Sequence, residues 1–135
     1  AQFAENSYLV PGDKIVGIAL PEKGITIFSV DSQELTNFEK SPESWIKLEW
    51  KKEIDFTFTS RIKITIINEV GVLNSITSTI ADYGGNITNL ILNEKDNDFY
   101  NLIIDINVND NHHINDIVKS LDGLPVVEAV IRFIG

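Results

Sequence analysis

Hydrophobic residues in the second half of the chain repeat with two different periods, and the order of these periods is its most constraining feature. Apolar positions alternate over residues 55–67, which predicts a strand, and recur at helical spacing over residues 71–83. Two further strands, a helix and a last strand are predicted at residues 86–93, 99–108, 110–121 and 126–133. We therefore predict a βαββαβ order and a ferredoxin-like α+β domain over residues 55–135.

Each predicted helix carries a single apolar stripe, so both helices are expected to cover the same face of a four-stranded sheet. The stripe of the first helix is predicted to consist of Leu73, Ile76, Ile80 and Tyr83. The opposite face of the sheet would then expose four large apolar residues, Ile91, Ile103, Ile131 and Phe133. We expect this face to pack against a second copy or against the first half of the chain.

The first half of the chain, residues 1–54, is predicted to be a small β-rich unit. Residues 14–20 and 25–30 are rich in β-branched residues, and turn-forming residues join them as a hairpin. Asp31 is expected to cap a short helical turn that ends near Phe38. Residues 45–50 alternate in polarity and are predicted to form a further strand.

The acidic composition limits the classes of partner. The formal net charge is −9, the sequence pI is about 4.5, and the two arginines are Arg61 and Arg132. Phosphate recognition needs clustered cations, so a freestanding nucleic-acid binder is disfavoured. The sequence has no cysteine, and no apolar run reaches the roughly 18 residues of a membrane span. We expect no cofactor, no bound metal, no membrane contact and a cytoplasmic location.

The turn between the first predicted strand and helix of the second half is the candidate binding site. It runs Asn68-Glu69-Val70-Gly71-Val72 and leads into the helix at Leu73. Gly71 allows the backbone to approach a ligand without a Cβ in the way, and the first amides of a helix have no partner within it. Small carboxylates bind well at such helix ends.

These residues carry a resemblance. The strand, the turn with Gly71-Val72-Leu73, the helix, and Gly85-Asn86-Ile87 before the next strand resemble an ACT domain, a small regulatory module that commonly binds amino acids at subunit interfaces. The resemblance implies a ligand between this turn of one copy and the second-strand region of its neighbour. The implied ligand-binding residues are Asn68, Glu69, Val70, Gly71, Val72, Leu73, Asn86 and Ile87. It also implies a homodimer through the sheet or its edges.

The first half sharpens the family resemblance. Residues 10–17, VPGDKIVG, followed by GITI at residues 24–27, resemble the segment that precedes the ACT domain in RelA/SpoT-type synthetases and hydrolases of the alarmone (p)ppGpp. In that family the segment is zinc-finger-like, with cysteine and histidine ligands. The matching positions here are Asn6, Ser7, Phe28 and Ser32, which cannot form a tetrahedral zinc site. We expect Phe28 to fill the vacated space by packing.

The candidate turn also departs from the family. Asn68-Glu69 stands where the family often has an Asp-Arg pair, so a cation that could anchor an anionic partner is lost. The family's contacts with ribosomal RNA are therefore disfavoured for this chain. The same change affects amino-acid binding less than it affects RNA contact, because ACT domains that bind amino acids also use Asn at the position of Asn68.

Other polar residues give no catalytic pattern. His112-His113 are adjacent on a predicted helix, point about 100° apart and are expected to face solvent. Asp96 and Asp98 flank a turn, where solvated carboxylates are expected. We predict a non-catalytic regulatory region whose parent protein is a GTP pyrophosphokinase or (p)ppGpp hydrolase. The alternatives are a structural dimerisation module without a ligand, an amino-acid sensor of another metabolic enzyme, and RNA recognition by the open sheet.

Overall fold

The computed structural model describes residues 1–134, which form two four-stranded sheets. The first sheet contains the strands β1 (Gln2–Phe3), β2 (Ile15–Leu20), β3 (Gly24–Ser29) and β4 (Trp45–Ile46) in the order β1-β3-β2-β4. Strands β2 and β3 form the predicted hairpin, with Ile15 opposite Ser29 and Leu20 opposite Gly24.

The second sheet and two helices form the predicted ferredoxin-like arrangement. In chain order the elements are β5 (Phe58–Ile67), α1 (Val72–Asp82), β6 (Asn86–Glu94), β7 (Phe99–Val108), α2 (Asn111–Asp122) and β8 (Val127–Phe133). The strand order is β6-β7-β5-β8, and every neighbouring pair is antiparallel. The alternating and helical hydrophobic periods therefore identified all six elements, within a few residues at their ends.

The core of the second unit lies between this sheet and its two helices. Alternate residues of β5 and β7 point to the helices, and the side chains from Ile62, Ile64, Leu102 and Ile104 are fully buried. Strands whose every second residue is apolar bury one face in this way. Both helices cover this face, as predicted.

The apolar stripe of α1 is offset from the predicted one. Val72, Ile76 and Ile80 are buried, whereas Leu73 is 41% and Tyr83 is 48% exposed. The prediction was wrong for Leu73 and Tyr83, because the helix starts with Val72 rather than Leu73 turned towards the sheet. The stripe of α2, with Ile114, Ile117 and Leu121 buried, agrees with the sequence pattern, and Asp110 caps this helix by accepting a hydrogen bond from the His113 amide at 2.9 Å.

Two predictions for the first unit need correction. Ser32, not Asp31, caps the 3₁₀ helix Gln33–Phe38, because its hydroxyl accepts the Glu34 amide at 3.3 Å. Of the strand predicted over residues 45–50, only Trp45 and Ile46 pair with a neighbour. The tryptophan side chains hold this segment instead, since Trp45 donates to the Phe38 carbonyl and Trp50 to the Asp13 carbonyl.

The face of the second sheet that is opposite the helices, called here the open face, carries both apolar and charged residues. Ile91, Ile131 and Phe133 are 44%, 47% and 36% exposed, as the alternation predicted, while Ile103 is half-buried. Arg61 and Asp105 form an ion pair across β5 and β7, with Nε to Oδ1 at 2.6 Å and Nη2 to Oδ2 at 2.9 Å. The ring of Tyr8 from the first unit lies against the Arg61 guanidinium, which covers one end of this face.

The corrected stripe of α1 predicts different costs for two substitutions on one helix. Ile76→Ala opens a cavity in a closely packed core and should lower the free energy of unfolding by about 3 kcal/mol. Leu73→Ala truncates a largely exposed side chain and should cost much less. Urea unfolding followed by circular dichroism measures both, and equal costs would contradict the observed orientation of α1.

The ion pair on the open face predicts a dependence of stability on pH. The hydrogen bonds from Arg61 lower the pKa of Asp105 and outweigh the burial that raises it. The stability from this pair is therefore present above the ordinary aspartate pKa of about 3.9 and is lost as the pH falls through the lowered pKa. Asp105→Asn should be less stable than the parent chain at pH 7, and the difference should shrink in acid. Asp31→Asn, at an exposed carboxylate, is the control and should leave the free energy of unfolding unchanged both at pH 7 and in acid.

Candidate ligand-binding site

The turn from β5 to α1 has the backbone geometry that its sequence predicts. Gly71 precedes the first helical residue with φ of 86°, a left-handed conformation that side chains rarely adopt. No side chain caps the helix, so its first amides keep their hydrogens free for a ligand. The Asn68 amide donates to the Asp98 carbonyl at 2.9 Å, which fixes the start of the turn against the β6–β7 turn.

A cavity of about 140 Å³ lies beside this turn. Four of the predicted ligand-binding residues line it, namely Glu69, Gly71, Val72 and Leu73. Its other walls are Ile66, Ile67, Leu92 and Tyr100, which the sequence interpretation did not include. Pairing could have identified Tyr100, because it lies directly opposite Ile66 in the ladder between β7 and β5.

Two predicted residues of the same turn do not line the cavity. Asn68 is exposed beside it, and Val70 projects from the tip of the turn with its side chain fully exposed. An apolar side chain in water at a loop tip has no packing role within this chain.

Asn86 and Ile87 lie at the opposite end of the sheet from the turn. Asn86 pairs with Asn107 near the end of β7, whereas the turn leaves β5 beside Phe99 at the start of β7. Asn86 is exposed, and Ile87 packs against the core. The two halves of the predicted site therefore do not meet within one chain.

The cavity combines apolar walls with two opposite electrostatic features. Glu69 is the one charged residue among those lining it. Its carboxylate favours a cationic group, and the amides at the start of α1, at the positive end of the helix dipole, favour an anionic group. The site can therefore hold both ends of a small zwitterion against an aliphatic wall.

The positions that the resemblance matched to zinc ligands have different surroundings in the structure. Phe28 is 5% exposed and packs in a small core with Ile18 and Leu35, as the sequence analysis expected. Ser32 caps a helix, and Asn6 lies exposed with φ of 61°. Within residues 1–134, no group of three His, Asp or Glu side chains is placed to hold a metal ion.

The two histidines differ from each other. His112 is exposed as predicted, but His113 is half-buried, and the prediction was wrong for it. His113 Nδ1 accepts the Asn109 amide at 3.0 Å, and Nε2 lies 2.7 Å from the Tyr83 carbonyl at the end of α1. Asp96 accepts the amides of Asp98 and Phe99 and shapes a turn, as expected for a carboxylate at that position.

Two family models match successive parts of the chain. The RelA/SpoT RIS domain model matches residues 1–51, and the ACT domain model matches residues 55–132. The GTP pyrophosphokinase Rsh of Brucella abortus is 38% identical over 128 residues, which are 93% of this chain and 17% of the relative. The bifunctional (p)ppGpp synthase/hydrolase SpoT of Escherichia coli is 31% identical over 96% of this chain and 18% of its own length. The chain thus spans about a sixth of these relatives.

Solved structures resemble the second unit. The crystal structure of the ACT domain from GTP pyrophosphokinase of Chlorobium tepidum is 25% identical, with a TM-score of 0.51, and covers 57% of this chain and 99% of its own. A homoserine dehydrogenase of Thiobacillus denitrificans, 20% identical with a TM-score of 0.51 over 65% of this chain and 19% of its own, shares the fold. No helix in the described residues is long and apolar enough to span a membrane.

Proposed function

Because the chain belongs to the ACT-domain family and carries a RelA/SpoT RIS domain ahead of its ACT domain, we propose that it regulates a (p)ppGpp synthetase or hydrolase. The relatives that it matches are named for GTP pyrophosphokinase and for (p)ppGpp synthase/hydrolase activity, and the match is confined to their RIS and ACT regions. The regulated activity then belongs to other domains of the parent protein. Since GTP is a cytoplasmic nucleotide, we place the parent protein in the cytoplasm.

The proposed signal is a free amino acid with an aliphatic side chain, bound at the turn between β5 and α1. The observation that carries this proposal is the cavity beside Gly71, where unpaired helix amides, the Glu69 carboxylate and an apolar wall adjoin one another. The amides would hold the ligand carboxylate, and Glu69 would hold its ammonium group. Leu92 and Tyr100 would contact its side chain.

A second copy of the chain would complete the site. Strand β6 is an edge strand, and residues 86–93 contain no charged side chain that would oppose pairing with another strand. Leu90, Ile91 and Leu92 on this strand are 36–44% exposed. Antiparallel pairing of two β6 strands about a two-fold axis would bring the turn of one copy towards Asn86 and Ile87 of the other. The ligand would then stabilise the dimer.

A purely structural role is the second candidate, and the same edge strand favours it. An exposed edge without charges over residues 86–93 pairs readily whether or not a ligand is present. Dimerisation without ligand binding would then be the function of the ACT domain in the parent protein. Recognition of RNA by the open face is the least favoured function, because the net charge is −9 and both arginines are held in ion pairs.

Calorimetry with leucine, isoleucine and valine tests the ligand site. Gly71→Asp places a carboxylate where the ligand carboxylate would bind and should weaken affinity by at least about tenfold. Gly24→Asp is the matched control, because Gly24 also has a positive φ, 71°, and open surroundings but lies in the other sheet. It should leave affinity unchanged.

N-acetyl-leucine separates the two ends of the ligand in the same experiment. It retains the carboxylate but cannot present an ammonium group to Glu69, so it should bind more weakly than leucine. Absence of heat with all three amino acids, or equal affinities of the Gly71→Asp variant and the unsubstituted chain, would rule out the proposed sensor of aliphatic amino acids.

Sedimentation velocity with two lysine variants identifies the dimer contact. Ile91→Lys lies on the β6 edge and should produce a monomer, because a lysine opposes strand pairing there. Ile131→Lys lies on the same open face with similar exposure, 47% against 44%, but on the opposite edge strand, β8. It should leave the dimer intact. Dissociation of both variants would instead indicate packing through the open face. An unsubstituted chain that stays monomeric both with and without leucine would contradict both proposed functions.

A further inference from the structure

Residues 8–13, named here the clamp, hold the RIS domain against one end of the ACT sheet. The clamp passes from the open face to the helix-covered face. On the open face, the Tyr8 ring lies 4.6 Å from the Arg61 guanidinium carbon, and the Tyr8 amide donates to the Ile134 carbonyl at 3.0 Å. On the other face, Val10 is fully buried among the ACT core residues. A residue of the first unit therefore completes the core of the second.

One ion pair secures the clamp. Both carboxylate oxygens of Asp13 accept hydrogen bonds from Arg132 of β8, and the two side chains are only 8% and 11% exposed. Asp13 also accepts the Val10 amide at 2.8 Å, and Arg132 donates to the Tyr8 carbonyl at 3.2 Å. Loss of one member would leave the other charge buried without its partner, which is strongly unfavourable.

The middle of the clamp contacts the start of α2. The Asn111 amide, at the first helical position, donates to the Pro11 carbonyl at 2.8 Å. Gly12 has φ of 97°, and a Cβ added there would lie 2.2 Å from the Asn111 side-chain oxygen. The positive φ favours glycine, and a Cβ there would displace the Asn111 side chain. Both α2 and Arg132 therefore contact the Pro-Gly-Asp tripeptide.

His113 extends this contact from α2 to the end of α1. Because Nδ1 accepts the Asn109 amide, the ring hydrogen is on Nε2, which donates to the Tyr83 carbonyl. Gly84 and Gly85 follow directly, and the Gly85 amide donates to the Ile80 carbonyl at 3.0 Å. The next residue is Asn86. A continuous series of hydrogen bonds and adjoining residues therefore joins the clamp to the start of β6.

We infer that the clamp and His113 form a coupling device between the two domains. Displacement of the junction between α1 and β6, residues 83–86, weakens the contacts of the clamp with the ACT domain. Weakening of the clamp contacts in turn displaces this junction. Such coupling is reciprocal by thermodynamic necessity. The inference rests on the proposed function only for the signal that starts the displacement, which would be a ligand or a second copy bound at Asn86. The coupling itself requires neither.

Hydrogen exchange of the whole chain, followed by mass spectrometry or NMR, tests the device without a ligand. Asp13→Asn removes the charge of the clamp while keeping its shape. It should speed exchange of the Asn111 and Gly85 amides by about tenfold, as expected when a local opening becomes easier. Lys47→Gln, which breaks an ion pair between side chains that are 90% and 80% exposed, is the control and should change neither.

Two substitutions of His113 separate its bonds. In His113→Asn, the side-chain oxygen can replace Nδ1, but no group reaches Tyr83, so the device should be interrupted. In His113→Gln, the longer amide can still donate to Tyr83. The effect of Asp13→Asn on Gly85 exchange should disappear in the His113→Asn background and persist in the His113→Gln background.

The contrary results are equally specific. Faster exchange at Asn111 with unchanged exchange at Gly85, or an effect at Gly85 that survives His113→Asn, would overturn the inference. If Asp13→Asn unfolds the chain, Gly12→Ala serves instead, since it disturbs the Asn111 contact and keeps both charged side chains of the ion pair. Because no amino acid is added, failure of ligand binding in calorimetry and failure of coupling here are separate results.

Discussion

Burial of only one face of the ACT sheet is the constraint on which the rest of the structure depends. The connections place α1 and α2 on the same side, and the fully buried side chains of β5 and β7 point towards them. The open face, the unpaired edge of β6 and the two ends of the sheet remain for other contacts. The cavity at Gly71 occupies one end, and the clamp occupies the other. Within one chain, the cavity and the RIS domain are therefore separated by the length of β5.

Both arginines of this acidic chain bind carboxylates and contact the first unit. Arg61 pairs with Asp105 and supports Tyr8, and Arg132 pairs with Asp13 and binds the Tyr8 carbonyl. Both arginines thus join the two domains as well as neutralising buried carboxylates. Neither lines the cavity at the turn, so an anionic ligand group there depends on backbone amides. This division agrees with a small zwitterionic ligand better than with a polyanion.

The periodic segments were the predictable part of the fold. The four strands and two helices of the ACT domain and the first hairpin follow from the spacing of apolar residues, since every element buries one face. The exact stripe of α1 was not predictable, because Val72 and Leu73 are adjacent apolar residues and only the start of the helix decides which is buried. The segment after Trp45 alternates like a strand, yet its tryptophans bind carbonyl groups elsewhere, which no local pattern reveals.

By itself, the sequence determined the fold class, the family resemblance and the glycine turn as a candidate site, because these depend on local periods and on residue types at short spacing. Tertiary structure alone decided that Leu92 and Tyr100 line the cavity, that Asn86 lies at the far end of the sheet, and that Asp13 meets Arg132. These contacts join residues distant in the chain, up to 119 positions apart. Their partners are chosen by strand register and domain packing, which are properties of the folded molecule as a whole.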